Sequence, residues 1–270
     1  MLKIFRTAII VALAAFILFP MLYTFSLSFF QGLDFTDSYA HFLPSSFSLR
    51  NYILASSDRY FPRYALNSLI TAFLTASIRL VITTLSAFAF THLEFRGRKA
   101  IFILLTATLF IPSDAILFEN YTTIAKAGML DTYQGIILPS LFSASSLLFM
   151  IGGFSSYDRD VYDAARLDGA GDIRYMSSIL IHLTTAVSAT IFIQTFIASF
   201  GSYLWPLLVT NRPRMRTVQV GITMLGFAAD GETGAQFASI IMITLPFVIL
   251  LQILRRRVMN AMDIKEDNFR

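Results

Sequence analysis

Residues 7–30, TAIIVALAAFILFPMLYTFSLSFF, form a run of 24 amino acids without a charged side chain. Because a helix rises about 1.5 Å per residue, about 20 apolar residues suffice to cross the roughly 30 Å hydrocarbon core of a bilayer. The run follows Lys3 and Arg6, as the apolar core of a secretory signal peptide follows basic residues. Such a core is only about 7–15 residues long. The stretch therefore predicts a retained transmembrane helix, with a cleaved signal peptide as the alternative.

Five further stretches of similar character follow along the chain. The composition is 56% hydrophobic, includes 27 Phe and has a mean hydropathy of +0.65. We therefore predict an all-α polytopic membrane protein, with a single transmembrane domain over residues 1–270 and both termini on the same side. Its six transmembrane helices are expected at about 7–30, 65–93, 100–118, 133–153, 183–209 and 237–254.

The distribution of Lys and Arg predicts the orientation. Thirteen lie in the N-terminal segment, the turn at 94–99, the loop at 155–182 and the C-terminal tail, against seven in the segments on the other side. The positive-inside rule places the richer side, and hence both termini, in the cytoplasm. A basic cluster on the outer side, Arg212, Arg214 and Arg216, runs against this bias. The net charge of +4 then reflects topology, and no nucleic-acid partner is expected.

The loop after the fourth predicted span is unusually charged. Residues 155–174 carry five Asp and three Arg in a chain that is only 14% charged. Val161, Ala164, Ala165 and Asp168 recur at helical spacing, which predicts a short helix with a small-residue face. Gly169 follows, where helices commonly end in a left-handed turn. A solvated connector and a docking surface for a soluble partner both fit, but a plain connector needs fewer residues.

The segment DAARLDGA, residues 163–170, resembles the EAA loop of ABC importer permeases, whose pattern is E-A-A-x-x-D-G-A followed by I-x-L-P. The resemblance covers about residues 5–262 and is closest to the second permease subunit of maltose and glycerol-3-phosphate importers. Four other segments resemble the same permeases. They are NSL at 67–69, FRGRK at 95–99, MLDTYQGIILP at 129–139 and SYLWPLLVT at 202–210.

The resemblance implies the type I ABC importer permease fold in the bacterial cytoplasmic (inner) membrane. In that family the loop forms a coupling helix that docks on an ATPase. Four kinds of partner are implied: a second homologous permease, two ATP-binding cassette ATPase subunits, an extracytoplasmic solute-binding protein and membrane lipid. The residues expected to dock on the ATPase are Asp163, Ala164, Ala165, Asp168, Gly169 and Ala170.

Two positions depart from the family pattern. Asp163 stands where the family has Glu, so the docking contacts are expected to differ slightly. His182 stands where the family has the Pro of I-x-L-P, so a fixed break in the backbone is expected to be missing there.

Motifs for nucleotide binding are missing from the sequence. A P-loop needs G-x-x-x-x-G-K-S/T to cradle phosphates, and none of the four Lys follows Gly in that way. The chain is therefore expected to be no enzyme and to carry no cofactor, with ATP and Mg²⁺ on the partner ATPase. The alternatives are a self-sufficient secondary transporter or channel, which would be expected to show inverted repeats, and an intramembrane enzyme, for which no catalytic set is recognisable.

Two further sites are predicted from charge. Arg79 lies inside a predicted span, where a charge needs a partner or a functional role. Arg79 and Asp114 lie at matching depth on either side of the turn at 94–99, which predicts an ion pair. A carboxylate on the second permease and a wet translocation cavity are the alternatives. The Arg212, Arg214 and Arg216 cluster is expected to contact the binding protein or, alternatively, to attract an anionic solute. The solute itself stays open between an oligosaccharide and a sugar phosphate.

Overall fold

The computed structural model describes the backbone of residues 2–36, 41–228 and 233–267. Within these ranges the regular elements are all helical, without a β-strand. Fifteen α-helices follow in chain order, and short 3₁₀ segments connect several of them. They are α1 Leu2–Leu27, α2 Gly32–Thr36, α3 Arg50–Ser57, α4 Phe61–His92, α5 Arg98–Ala107, α6 Leu117–Lys126, α7 Tyr133–Ile137, α8 Ala144–Ser155, α9 Arg159–Leu167, α10 Asp172–Tyr175, α11 Ile181–Leu183, α12 Thr185–Phe200, α13 Leu204–Val209, α14 Val218–Ala228 and α15 Thr233–Asp267.

Two described helices are long and apolar enough to cross a membrane. They run over Phe5–Leu27 and Phe61–His92, and a shorter apolar helix covers Thr233–Ile249. The most apolar part of the first has no side chain buried inside the chain. Such a surface is expected to face lipid or another apolar surface.

Three bent helix pairs account for most of the remaining apolar sequence. They are Arg98–Phe110 with Asp114–Lys126, bent by 96°, Tyr133–Ser140 with Ala144–Ser155, bent by 56°, and Asp172–Leu183 with Thr185–Phe200, bent by 81°. Counting each pair as one span gives up to five spans among the described residues. The predicted number of six and the cytoplasmic placement of the termini stay predictions. The predicted span at 183–209 is divided between α12 and α13, because the chain turns at Gly201.

The chain divides into two compact units. The first comprises Met1–Ala65 and Val218–Arg256. In it the side-chain amide of Asn51 donates to the carbonyl oxygens of Ser28 (2.9 Å) and Phe30 (2.7 Å). Gly234 packs so closely that a Cβ there would lie 2.3 Å from the Asn51 amide nitrogen. A glycine is therefore required at this contact.

The second unit comprises Leu66–Thr217 and Arg257–Arg270. Its core joins the C-terminal half of α4 to α8, α9, α10 and α12. The buried residues that meet there include Phe88, Leu147, Met150, Phe154, Tyr162, Tyr175, Leu180 and Ile191. The charged loop is thus packed against the second unit's own core rather than projecting freely as a connector.

Candidate functional site

The charged loop folds as the predicted short helix and turn, and the helix α10 follows. The helix α9 ends at Asp168, and Gly169 has a φ of 82°, in the left-handed region. The amide of Gly169 donates to the carbonyl of Arg166 (3.0 Å), and that of Ala170 to the carbonyl of Ala165 (2.9 Å). This pair of hydrogen bonds is a Schellman motif, which satisfies the last carbonyl groups of the helix. The turn predicted at Gly169 is confirmed.

The side chain of Tyr162 anchors α9 to the core of the second unit. Its side chain is buried, and its hydroxyl donates a 2.7 Å hydrogen bond to Oδ1 of Asp172, beyond the turn. This hydrogen bond raises the pKa of Tyr162, with burial as a second cause, so the phenol stays protonated at neutral pH. The hydroxyl therefore stays a donor, and the two arms of the loop are held together.

His92, the last residue of α4, lies within the same aromatic cluster. Its ring stacks on Phe88 with centroids 4.8 Å apart and meets Tyr162 at 5.1 Å and Tyr175 at 5.5 Å. The cluster connects the end of the long helix α4 directly to α9. No local pattern in the sequence singled out Tyr162 or Tyr175.

The outward surface of α9 combines small, acidic and apolar side chains. Asp163, Ala164, Asp168 and Gly169 are exposed. Leu167 is 90% exposed, and Ile173, just past the turn, is 79% exposed. Leu167 and Ile173 thus add apolar area to an otherwise small and acidic surface. We call the surface formed by Ala164, Leu167 and Ile173 with these acidic residues the coupling surface.

The predicted small-residue face of α9 is not a single exposed face. Ala165 is buried beside Tyr162, and Ala170 is partly buried against the same core. Tyr162 and Ala165, three residues apart, point inward together because this face contacts the aromatic cluster. Of the six residues expected to dock on an ATPase, these two alanines are the least accessible.

The backbone break after the loop is present without a proline. A π-helical segment, Met176–Leu180, precedes α11, and the chain bends by 81° between Leu183 and Thr185. The expectation that His182 would remove the break is therefore wrong. The bend falls at Thr184, whose φ of −99° and ψ of 25° leave helical geometry.

Arg79 is not paired with Asp114. Its Nε donates to the carbonyl oxygen of Ser140 (2.7 Å), as does Nη2, and Nη1 lies 3.5 Å from Oγ1 of Thr195. Asp114 is exposed in the 3₁₀ turn Ser113–Ile116. The prediction from matching depth assumed a straight helix, whereas the chain bends by 96° at this break.

Arg79 and Trp205 both hold the broken helix Tyr133–Ser140. The indole nitrogen of Trp205 donates to the carbonyls of Gly135 (3.2 Å) and Ile136 (3.1 Å). The guanidinium of Arg79 covers the carbonyl at the other end of this segment. Beside them is a cavity of about 100 Å³, whose polar lining consists of Thr75, Arg79, Ser140, Thr195, Ser199, Ser202 and Trp205.

The segment that carries Arg212, Arg214 and Arg216 is organised by two other polar residues. Asp131 accepts hydrogen bonds from the amides of Asn211 (2.7 Å) and Arg212 (2.8 Å), and Asn67 donates to the carbonyls of Arg214 and Arg216, both at 2.9 Å. The Arg212 side chain is 79% exposed and lies 3.9 Å from Asp131. Three segments of the family resemblance, at 67–69, 129–139 and 202–210, thus meet at or beside this cluster.

Comparison with known proteins identifies the class to which this fold and loop belong. A family model described as the inner membrane component of binding-protein-dependent transport systems matches residues 80–263. The chain belongs to this family. The interpretation as an ABC importer permease, rather than a secondary transporter or channel, is thereby confirmed.

Particular relatives narrow the comparison. The sn-glycerol-3-phosphate transport system permease protein UgpE of Brucella abortus (strain 2308) is 30% identical over 247 residues, 88% of each chain. UgpE of Rhizobium meliloti (strain 1021) is also 30% identical, over 249 residues, 89% of this chain and 88% of the relative. The trehalose/maltose transport system permease protein MalG of Thermococcus litoralis is 28% identical over 257 residues, 93% of this chain and 92% of the relative.

A solved structure confirms the fold. A chain of a bacterial ABC transporter involved in the import of the acidic polysaccharide alginate superposes with a TM-score of 0.82, covering 94% of this chain and 95% of that one. At 21% sequence identity this likeness concerns the fold alone. The all-helical type I importer permease fold implied by the sequence resemblance is therefore present.

Proposed function

We propose that the chain is the permease subunit of an ABC importer for a sugar or sugar-phosphate-like solute, such as glycerol 3-phosphate or an oligosaccharide. It lines half of the translocation pathway beside a second, homologous permease. Two ATPase subunits bind ATP and Mg²⁺ on the cytoplasmic side, and an extracytoplasmic solute-binding protein delivers the solute. Family membership over residues 80–263 and the transport systems named for the UgpE and MalG relatives support this proposal.

The coupling surface is the observation that carries the proposal. The helix α9, held from behind by Tyr162, presents Ala164 and Leu167 outward, with Leu167 90% exposed, and Ile173 is exposed just past the turn. Burying a Leu side chain fully at an interface stabilises a complex by about 1.5–3 kcal/mol. The acidic residues around it add a polar rim, as expected for a protein–protein contact. The surface therefore suits docking into an apolar groove of an ATPase subunit.

The anchoring of this helix suggests how ATP hydrolysis reaches the membrane. A movement imposed on α9 passes through Tyr162 to His92, since their rings are 5.1 Å apart. His92 ends α4, which carries Arg79 into the membrane region. Closure of the ATPase pair is thus proposed to tilt α4 and reorient the translocation pathway.

The proposed orientation places the coupling surface in the cytoplasm and the Arg212, Arg214 and Arg216 cluster outside. The positive-inside bias supports this orientation, and the six spans predicted from the sequence would bring both termini to the same side. The outer arginines are then available to acidic residues of a docking solute-binding protein. We place the protein, in this orientation, in the inner membrane of a bacterial cell.

Replacing Leu167 with Glu tests the proposal. The substitution puts a charge into the proposed contact, and co-purification with the ATPase subunits is expected to fall by at least tenfold, with solute uptake, while the amount in the membrane stays normal. Leu33→Glu is the matched control, since Leu33 is 83% exposed but lies in α2, outside the coupling surface. Normal ATPase recovery and uptake for Leu167→Glu would contradict the proposal.

A further inference from the structure

Arg79 is a cation without a carboxylate partner among the residues that the structure describes. The polar residues lining the cavity beside it are hydroxyl-bearing, apart from Arg79 itself and Trp205, and include neither Asp nor Glu. A cation in a membrane-spanning segment marks a functional or pairing role by default. The carbonyl oxygen of Ser140, at the end of a helix, accepts hydrogen bonds from the Arg79 guanidinium but supplies no negative charge.

The guanidinium retains hydrogen-bonding capacity toward the cavity. Arginine has five N–H donors, and the contacts to Ser140 and Thr195 employ Nε and one donor on each terminal nitrogen. One N–H on each terminal nitrogen is left without an acceptor among the described residues. Two such N–H groups on one planar guanidinium can donate to the oxygens of a phosphate or carboxylate.

The cavity offers room and further donors for such a group. Its volume of about 100 Å³ is several times the roughly 30 Å³ that one water occupies in the liquid. Ser199 and Ser202 line it, and neither side-chain hydroxyl has a hydrogen-bond partner in the described part of the chain. The Ser140 carbonyl holds the guanidinium in place.

We propose that Arg79, with the hydroxyls of Thr195, Ser199 and Ser202, binds the phosphate or carboxylate group of the transported solute. The site selects an acidic solute over a neutral sugar at the translocation step. This inference rests on the proposed function and deepens it, since it narrows the solute to an anionic one. A carboxylate of the second permease is the competing occupant of the same fork.

Protection of Arg79 from phenylglyoxal tests the site directly. The assembled importer, reconstituted in liposomes, is treated with this arginine reagent alone or with sn-glycerol 3-phosphate, an alginate oligosaccharide or maltose present. Peptide mass spectrometry then reports the modification of each arginine. We expect at least fivefold slower modification of Arg79 with one of the two anions, which identifies the acidic group as phosphate or carboxylate. Maltose is expected to give no protection, and the exposed Arg96 serves as the internal reference.

Two substitutions separate charge from support of the broken helix. Arg79→Lys keeps the cation, whereas Arg79→Gln keeps a donor for the Ser140 carbonyl without the charge. Uptake of the protecting anion is expected to fall at least tenfold in Arg79→Gln and less in Arg79→Lys. If a variant fails to assemble, the protection experiment on the unaltered importer still decides.

Several results would overturn the site. If the importer takes up maltose and neither anion protects Arg79, the proposed site is wrong, while the proposed function stands. Protection at Arg212, Arg214 or Arg216 instead of Arg79 would place anion attraction at the outer surface. Loss of the second permease from Arg79→Gln, with no protection in the unaltered importer, would assign Arg79 to a carboxylate of that partner. Absence of any uptake and of stimulated ATP hydrolysis would count against the proposed function itself.

Discussion

The hydroxyl of Tyr162 donates a 2.7 Å hydrogen bond to Oδ1 of Asp172, across the turn at Gly169. The two residues lie on opposite arms of the loop, so this one hydrogen bond fixes the angle at which the coupling surface is presented. Because Tyr162 is also buried against His92, the angle is set relative to the end of α4. The loop is therefore positioned by the second unit rather than only tethered to it.

Replacing Tyr162 with Phe is expected to weaken coupling while leaving the aromatic packing in place. A hydrogen bond to a charged group contributes about 1.5–3 kcal/mol. Because the pKa of Tyr162 is raised above its ordinary value of 10.0, this contribution is complete at neutral pH and is lost only as the pH rises through the raised value. The expected result is faster hydrogen exchange across residues 159–175 and reduced stimulation of ATP hydrolysis. Tyr60→Phe is the control, since the Tyr60 hydroxyl has no described hydrogen-bond partner, and equal effects of the two substitutions would contradict the assignment.

Replacing Gly169 with Ala is expected to strain the turn. A Cβ there meets no atom within 4 Å, so the cost arises from the φ of 82° alone. Left-handed backbone costs a residue with a Cβ about 1–2 kcal/mol. Transport and ATPase stimulation are expected to fall while membrane insertion persists.

Gly152→Ala is the matched control for Gly169→Ala. Gly152 lies within α8, and a Cβ there also meets no atom within 4 Å. Replacing a glycine inside a helix with Ala stabilises it by up to about 1 kcal/mol. If Gly169→Ala transports as well as Gly152→Ala, the left-handed turn is unimportant for docking.

Asp114 is expected to tolerate substitution by Ala. The carboxylate is exposed and forms no ion pair with Arg79. Surface substitutions away from such contacts change the free energy by no more than about 0.5 kcal/mol, which corresponds to about a twofold change in an equilibrium constant. Uptake by Asp114→Ala should therefore stay within about twofold of the unaltered importer. A severe loss in Asp114→Arg that is partly restored by adding Arg79→Asp would reinstate the predicted pair.

Local sequence features predicted those parts of the charged loop whose structure depends on neighbouring residues alone. Gly169 followed a short helical pattern and preceded a second helix start, which is enough to predict a left-handed turn. The family pattern at residues 163–170 located the loop within the fold, and the apolar runs predicted an all-helical membrane protein.

Features that depend on contacts between distant segments were not predictable in this way. The spacing of Val161, Ala164, Ala165 and Asp168 gave a face, but which face is buried depends on His92 and Tyr175, 70 positions before and 13 positions after Tyr162. The Arg79–Asp114 prediction extrapolated helical depth through Pro112, where the chain bends. The bend at Thr184 occurs without proline, because a π-helical segment and a residue outside helical geometry provide it.

Crosslinking from α9 tests the docking of the coupling surface on the ATPase most directly. The sequence contains no cysteine, so a single introduced cysteine reports one position. Ala164 is exposed and its neighbour Ala165 is buried, which makes them a matched pair on one helix. In inverted membrane vesicles holding the whole importer, a short thiol-to-amine crosslinker is expected to join Ala164→Cys, but not Ala165→Cys, to an ATPase subunit. The account would be contradicted if Ala164→Cys gave no crosslink to an ATPase subunit. It would also be contradicted if Ala164→Cys and Ala165→Cys gave equal amounts of that crosslink.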